Sequence, residues 1–174
     1  MKLNILIILS LVLIFFSCKK DQKTSENEYI SGKFGSDTFY YTFPYYIGDV
    51  PDTNSNVAYS FGYISMYRND SKNPDKCIGI LLSSSWIDSL LLNETLPNAE
   101  LQLYDFKCPV DTTNGINDSC NYFGSSYNQT VDIRITEKKD DVLTGIFSGI
   151  IKTRTGRSKV VSDGRFRIRV IRKN

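Results

Sequence analysis

The chain has 174 residues, a formal net charge of +2 and no histidine. The lack of imidazole excludes Ser-His-Asp and Cys-His catalysis and histidine-ligated zinc, and no nucleophile-elbow, phosphate-loop or dinucleotide-binding motif is present. Such a small net charge also argues against nucleic acid as a partner. We therefore expect a protein that is not an enzyme and that uses no metal or cofactor.

The first 18 residues have the pattern of an exported lipoprotein. A short basic start precedes the apolar run of residues 5–16, which would form about 18 Å of helix, too short to cross a hydrocarbon core of roughly 30 Å. The run ends in Phe15-Phe16-Ser17-Cys18, which resembles the bacterial lipobox, although Phe15 replaces the usual Leu. The resemblance implies removal of residues 1–17 and attachment of acyl chains such as palmitate to Cys18. The alternative is an ordinary cleaved signal with a chance cysteine.

Residues 18–28 are predicted to form a lipidated polar tether, and residues 29–174 a single β domain. The stretch from Lys19 to Glu28 is entirely polar, and a flexible segment of that length would hold the domain roughly 18 Å from the bilayer. Lys19 in the second mature position resembles the sorting pattern that allows transfer to the outer membrane. We therefore expect a lipid-anchored protein of the cell envelope, and the sequence leaves open whether it faces the periplasm or the outside.

Three cysteines follow Cys18. An exported compartment allows one disulfide among them. Cys108 and Cys120 bracket a loop rich in turn residues, so we predict that these two pair and that Cys77 is buried and free. The spacing of the three cysteines matches no zinc site.

Apolar and polar residues alternate along most of the remaining chain, which is typical of half-buried β-strands. Such short strands, separated by turn signals and without an internal repeat, predict an all-β domain of about seven to ten strands. The arrangement is an antiparallel β-sandwich or a closed barrel, and a lipocalin-like barrel is one form that fits. Residues 86–92 fit either a short helix or a strand. The predicted strands are Tyr29–Phe34, Thr38–Phe43, Tyr59–Arg68, Cys77–Ser83, Leu101–Phe106, Val131–Thr136, Leu143–Lys152 and a last strand that includes Arg165–Val170.

Turn-forming residues separate these strands. Gly35–Asp37 predicts the turn of an opening hairpin, and Glu137–Asp141 predicts a turn near the C-terminus. Ser162–Gly164 predicts a bend inside the last strand. Gly145 and Gly149 are expected to mark bulges or places where two backbones approach closely.

The C-terminal part carries a family resemblance. Asp141–Gly149 contains Gly-x-Phe-Ser-Gly and Val161–Phe166 contains Asp-Gly-Arg-Phe, and both resemble the C-terminal β-meander of small Bacteroidota lipoproteins. Ser31–Phe34 resembles the start of their mature domain. The resemblance implies a compact β domain on a lipid anchor, and it carries no activity.

Aromatic side chains give the strongest indication of a binding surface. Alternation places a stripe of rings on one face of a predicted strand, and a second aromatic cluster lies in another strand. If exposed, these rings would offer a sugar or a small apolar ligand a flat surface with hydroxyl tips. The interpretation that we favour is that the stripe forms a wall of the core. The candidate ligand-binding residues are Tyr41, Tyr45, Tyr59, Phe61, Tyr63 and Tyr67.

Charge is unevenly divided along the chain. Residues 131–174 contain twelve Lys and Arg against five Asp and Glu, whereas residues 21–130 contain six against fourteen. Basic strands beside acidic ones would neutralise each other across the sheet. Otherwise the basic strands form a face for anionic headgroups, an acidic glycan or an envelope protein partner. The candidate residues of this face are Arg134, Arg165, Arg167 and Arg169.

Three functions therefore remain open. The preferred one is a non-catalytic binder of a glycan, lipid or small ligand, and the first alternative is an envelope interaction or assembly protein. The second alternative is a carboxylate-dependent glycosidase, because two acids in a cleft can act without histidine. Its candidate acids are Asp88, Glu94, Glu100 and Asp105, and their spacing singles out no pair.

Overall fold

The structure is a computed structural model that describes residues 28–44, 46–47, 50–51, 56–58, 62–84, 87–105, 122–125, 131–153 and 156–172. The predictions for Cys18, Tyr45, Tyr59, Phe61, Cys108 and Cys120, and for the signal segment, lie outside the described residues. The strands are β1 (Tyr29–Phe34), β2 (Asp37–Tyr41), β3 (Phe43–Pro44), β4 (Tyr46–Ile47), β5 (Val50–Pro51), β6 (Asn56–Ala58), β7 (Ile64–Asn69), β8 (Lys76–Leu82), β9 (Glu100–Asp105), β10 (Tyr122–Gly124), β11 (Val131–Lys139), β12 (Val142–Lys152), β13 (Ser158–Arg169) and β14 (Ile171–Arg172).

The main sheet curls into a nearly closed antiparallel barrel. Its order is β14-β6-β7-β8-β9-β10-β12-β13-β1-β2, and β11 also pairs with β12. Two pairings bring distant parts of the chain together: β13 pairs with β1, and β3, which directly follows β2, pairs with β7. The β14–β6 pair is parallel, whereas the neighbours β7, β8, β9 and β10 pair antiparallel. The predicted all-β antiparallel class is confirmed, in its barrel form.

Alternating side chains build the core. In β13, Phe166 and Ile168 are fully buried, whereas Arg165 and Arg169 are exposed on the opposite face. The same alternation places Ile64 and Met66 of β7 inside the barrel. Each such apolar side chain contributes about 1.5–3 kcal/mol when fully buried. Other members of the core cluster are Ile30, Phe39, Ile78, Ile80, Leu82, Leu101, Ile133, Ile135, Leu143, Phe147 and Ile151.

The opening hairpin forms as predicted. Strand β1 pairs with β2 in a register that joins Ile30 to Tyr41 and Phe34 to Asp37. The turn contains Gly35 at φ 62°, a left-handed conformation that glycine adopts without a steric penalty. Strand β2 ends at Tyr41 and the chain continues into β3, so the predicted second strand is divided in two.

The predicted bend in the last strand is a β-bulge. The pairing register between β12 and β13 shifts between Phe147 and Gly149, where Gly149 has φ 143° and Asp163 has φ 53°. Gly145 marks a close approach, because a Cβ there would overlap the backbone of β11 and the ring of Phe166. Both glycine predictions are therefore confirmed.

The predicted turn at Glu137–Asp141 is wrong in its extent. Strand β11 continues to Lys139, and only Asp140 and Asp141 form the turn, both with positive φ. A register shift between Ile135 and Glu137 lets the strand continue past its apolar part. The two-residue turn has the left-handed geometry that matches the twist of the flanking strands.

The region that fitted either helix or strand contains a single 3-10 turn, Ile87–Ser89. Ile87 and Leu90 are buried by this turn. The following segment pairs with the free edge of β11: the amide of Asn93 donates to Ile135 and that of Leu96 to Ile133, at 2.8 and 2.9 Å. No helix among the described residues is long and apolar enough to cross a membrane.

Candidate ligand-binding pocket

A pocket of about 500 Å³ lies beside the tips of two hairpins, β1–β2 and β7–β8. At this end of the barrel β7 pairs with Phe43 and Pro44 of β3, whereas β2 pairs with β1, and the pocket lies between β2 and the turn that follows β7. The lining residues are Phe34, Asp37, Thr38, Phe39, Tyr40, Tyr41, Asp70, Ser71, Lys72, Lys76 and Lys159.

One wall of the pocket is aromatic. The rings of Phe34 and Phe39 stack with centroids 4.4 Å apart, and the ring of Tyr41 lies 5.5 Å from that of Phe39. Phe39 and Tyr41 are otherwise buried, so the rings have fixed positions. Gly32 makes room for this wall, because a Cβ at that position would lie 2.9 Å from the Phe39 ring.

Three lysines contribute positive charge to the lining. Lys159 lies in β13 directly opposite the buried Ile151, so its side chain is on the interior face of the barrel. Its Nζ atom lies 5.4 Å from the centroid of the Phe34 ring and 5.1 Å from that of Phe123, within the range of a cation–π contact. Lys72 and Lys76 come from the β7–β8 hairpin. None of the three forms an ion pair with a residue that the structure describes.

Two carboxylates also line the pocket. Asp70 accepts a 2.9 Å hydrogen bond from the backbone amide of Lys72, which fixes the hairpin turn. Asp37 accepts a weak 3.5 Å hydrogen bond from the hydroxyl of Ser36. The lining therefore has one more cation than anion, and one of its carboxylates already serves the backbone.

The candidate aromatic residues are dispersed. Tyr41 lines the pocket, whereas Tyr63 and Tyr67 lie on the outer face of the barrel. Tyr63 is 52% exposed. Tyr67 lies over Gly79, and its hydroxyl donates to the side-chain oxygen of Gln102 at 2.9 Å. The favoured interpretation as a core wall is therefore wrong for Tyr63 and Tyr67, because the core positions of β7 are the even-numbered ones.

Tyrosine side chains surround Gln102 on the outer face of the barrel. The hydroxyl of Tyr104 also donates to the Gln102 side-chain oxygen at 2.9 Å, and the Gln102 amide donates to Glu100 at 3.0 Å. The rings of Tyr104 and Tyr122 lie 5.0 Å apart. These polar groups satisfy one another, and Glu100 is held in the network rather than in the pocket.

The four candidate basic residues lie on the outer face of the barrel. One of them, Arg134, already forms an ion pair within the domain. Arg134 aligns with Ile146, which in turn aligns with Arg165. Arg134 forms a 2.7 Å ion pair with Asp132, and hydrogen bonds from Arg134 and then Thr95 lower the pKa of Asp132. By contrast, the side chains of Arg165, Arg167 and Arg169 form no ion pair within the described part of the chain.

The three candidate acids whose side chains are described do not converge. Asp88 and Glu94 are exposed, Glu100 belongs to the Gln102 network, and none of these three lines the pocket. The side chain of Asp105 lies outside the described part of the structure. Among the described residues no cluster of three or more His, Cys, Asp or Glu could hold a metal ion. Two other acids, Asp37 and Asp70, do line the pocket, so the glycosidase alternative stays a prediction.

Two ionisable side chains, Cys77 and Arg68, are also buried. Cys77 is buried and free, as predicted, and burial raises the pKa of its thiol. Arg68 faces inward at 3% exposure and forms an ion pair with Glu28, at the start of the described domain. Burial lowers the pKa of Arg68, and the neighbouring Glu28 carboxylate opposes that shift.

The pocket lysines were not among the candidate residues. Lys159 did carry a signal, since it is a charged residue two positions before the core residue Val161, and so on the apolar phase of its strand. Lys76 carried the same signal, because it lies two positions before the buried Ile78 of β8. Lys72 reaches the pocket through tertiary packing, which no local pattern reports. Among known proteins, no family model, no curated sequence and no solved structure matches the chain.

Proposed function

We propose that this protein is a non-catalytic binder of a small ligand, which it holds in the pocket at the β1–β2 and β7–β8 hairpins. The observation that carries the proposal is the combination of a fixed aromatic wall with polar groups around about 500 Å³ of open space. Small-molecule sites in proteins are typically concave, roughly 300–1,000 Å³ in volume and largely apolar, with a few polar groups that orient the ligand. The mouth of a β-barrel is a common place for such a site.

The proposal can be tested by filling the pocket from its rim. Thr38 is an exposed lining residue of β2, so Thr38→Phe adds a ring to the opening without disturbing the core. Thr136→Phe adds the same ring to an exposed position of β11 and serves as the matched control. The neutral fluorescent probe N-phenyl-1-naphthylamine should bind the wild type and the control alike, and at least about tenfold more weakly to Thr38→Phe. Equal binding to both variants would place the probe elsewhere and refute the proposed pocket.

We further propose that the domain works in the cell envelope, anchored to the outer membrane by acyl chains on Cys18. The support is the sequence pattern of residues 1–18 and the polar tether of residues 18–28. One buried methylene contributes about 0.8 kcal/mol, so several chains would anchor the protein stably. Mass spectrometry of the mature N-terminal peptide tests this, and an N-terminus without acyl chains would refute it.

A second candidate function is the binding of an acidic envelope protein through the outer face of β13. The supporting observation is that Arg165, Arg167 and Arg169 lie on one side of this strand, free of ion pairs within the described residues. Their cross-strand neighbour Ile146 is 45% exposed, which adds an apolar contact. If this face binds a partner, Arg165→Glu with Arg167→Glu should abolish capture of that partner, whereas Thr38→Phe should not. Unchanged capture would exclude the face.

A further inference from the structure

The pocket carries an excess of positive charge at a place where the barrel interior is aromatic. We infer that its ligand is an organic anion with a flat or extended apolar body, whose acidic head contacts Lys159, Lys72 and Lys76. This inference rests on the proposed function and adds the ligand class. The apolar body would lie on the wall formed by Phe34 and Phe39.

Lys159 is the central residue of the inference. Its strand position places it opposite Ile151, which is fully buried, and two residues before the core residue Val161. The interior face of a strand normally carries apolar side chains, because a charged group there loses hydration. Its ammonium group is balanced in part by the rings of Phe34 and Phe123, at 5.4 and 5.1 Å.

An ammonium group can donate three hydrogen bonds, and a ring accepts it only through its negative face. Within the described residues Lys159 has these two ring contacts and no ion pair. An anionic group in the pocket would supply the missing charge-assisted hydrogen bonds. In a partly dehydrated site such bonds are stronger than in water, so the anion gains more there than at an exposed lysine.

The other charged groups in the pocket favour the same sign. Lys72 and Lys76 add two ammonium groups from the facing hairpin, also without an ion pair among the described residues. Asp70 is engaged by the backbone amide of Lys72, and Asp37 is the exposed first residue of β2. Three lysines would repel a cationic ligand, whereas only two carboxylates, both at the rim, would repel an anionic ligand.

The apolar side of the pocket defines the rest of the ligand. Phe34 and Phe39 stack with an interplanar angle of 21°, so they present a continuous aromatic surface next to Lys159. A lone inorganic anion would leave this surface exposed. A volume of about 500 Å³ suits an aromatic acid or a medium-length acyl acid, since both combine an anionic head with an apolar body.

Two probes of nearly equal shape separate charge from apolar contact. 8-Anilinonaphthalene-1-sulfonate carries one negative charge, and N-phenyl-1-naphthylamine has the same ring system without it. The inference predicts that the purified wild-type protein binds the anionic probe at least about tenfold more tightly, and that the preference falls as salt rises. Displacement by dodecanoate but not dodecanol would assign an acyl acid, and displacement by 1-naphthoate alone an aromatic acid.

Lys159→Met retains most of the side-chain volume and removes the charge. We expect it to weaken binding of the anionic probe about tenfold, equivalent to about 1.4 kcal/mol, and to leave the neutral probe unchanged. Lys139→Met removes an exposed lysine from the β11–β12 hairpin and is the matched control. Lys72→Met, at an exposed hairpin position, provides a second test that does not touch the core. Circular dichroism of each variant establishes that it is folded.

The possible outcomes test the anionic ligand separately from the proposed ligand-binding pocket. Equal affinity for the two probes, or equal effects of Lys159→Met and Lys139→Met, would overturn the anionic ligand and leave the pocket standing. Binding of neither probe would overturn both. Binding of free phosphate or sulfate with the affinity of the anionic probe would show that the apolar wall has no role, and would overturn the inference as stated.

Discussion

The buried ion pair of Glu28 and Arg68 allows a quantitative test of how much a charge in the barrel interior affects the free energy of unfolding. Arg68 is on the same face of β7 as Ile64 and Met66, and its guanidinium is almost fully buried. It forms an ion pair with Glu28 and donates a 2.7 Å hydrogen bond to the carbonyl of Tyr67. The side chain of Glu28 is 16% exposed and also accepts from the amide of Arg169 at 3.2 Å, so it retains water and one donor when Arg68 is removed.

This difference in exposure predicts unequal effects of the two single substitutions. Glu28→Gln removes the carboxylate that pairs with a buried guanidinium, and breaking a buried ion pair in this way destabilises a protein by about 3–5 kcal/mol. Arg68→Met leaves a carboxylate that is partly hydrated and hydrogen-bonded, so we expect a smaller loss of about 2 kcal/mol. The double substitution leaves neither charge behind, and its stability should fall within about 1 kcal/mol of the wild type.

Urea unfolding followed by circular dichroism measures these differences. With a slope of about 2 kcal/mol per molar urea, Glu28→Gln should lower the midpoint by roughly 1.5–2.5 M. Lys33→Met removes a partner from the 2.7 Å surface pair with Asp163, whose side chains are 46% and 65% exposed, and should leave the midpoint nearly unchanged. If the double variant loses as much stability as both single variants combined, the two side chains do not interact and the reasoning fails.

Three further predictions concern the sheet and its edges. Gly145→Ala should lower the free energy of unfolding by about 1–3 kcal/mol, because the added Cβ overlaps the neighbouring strand, and unchanged thermal stability would show that the strands can move apart. Thr95→Val removes the 2.6 Å hydrogen bond to Asp132 and should destabilise the fold by about 1 kcal/mol at pH 7. Because Arg134 and Thr95 lower the pKa of Asp132, this contribution is present above about pH 4 and is lost as the pH falls through the lowered value; a difference that persists at pH 2 in urea titrations would contradict it. Cys77, whose thiol pKa is raised by burial, should react with iodoacetamide only after unfolding, and peptide mass spectrometry of natively labelled protein would reveal any exception.

Local patterns were sufficient to predict most of the longer strands, because most of these have one buried and one exposed face, but they missed the short strands β4, β5, β6 and β10. Phe166 and Ile168 alternate with arginines, and this alone predicts which side chains of β13 are buried. The glycines at 145 and 149 likewise indicated a close approach and a bulge before any partner strand was known. The class of fold follows from such local signals.

The pocket could not be predicted in the same way, because it depends on contacts between distant segments. It lies between β2, which pairs with β1, and the turn that follows β7, whose Asn69 pairs with Phe43, and neither pairing is encoded in the local alternation of a strand. The aromatic stripe illustrates the limit, since alternation correctly placed Tyr63 and Tyr67 on one face but could not determine that this face is the outer one. A one-residue change of register exchanges the two faces of a strand.

Arg68 and Lys159 both lie on the apolar phase of their strands, and the comparison between them separates a charge with a structural partner from one for which we propose a functional role. Arg68 is paired with Glu28 and hydrogen-bonded to the backbone, so the protein itself compensates its loss of hydration. Lys159 is also turned toward the interior, but the described residues provide it with two aromatic rings and no carboxylate. If the charge of Lys159 had only a structural role, we would expect it to have a carboxylate or a backbone carbonyl as its partner, as Arg68 has. The absence of such a partner among the described residues around Lys159, beside an open pocket, is why its compensation is expected from a ligand.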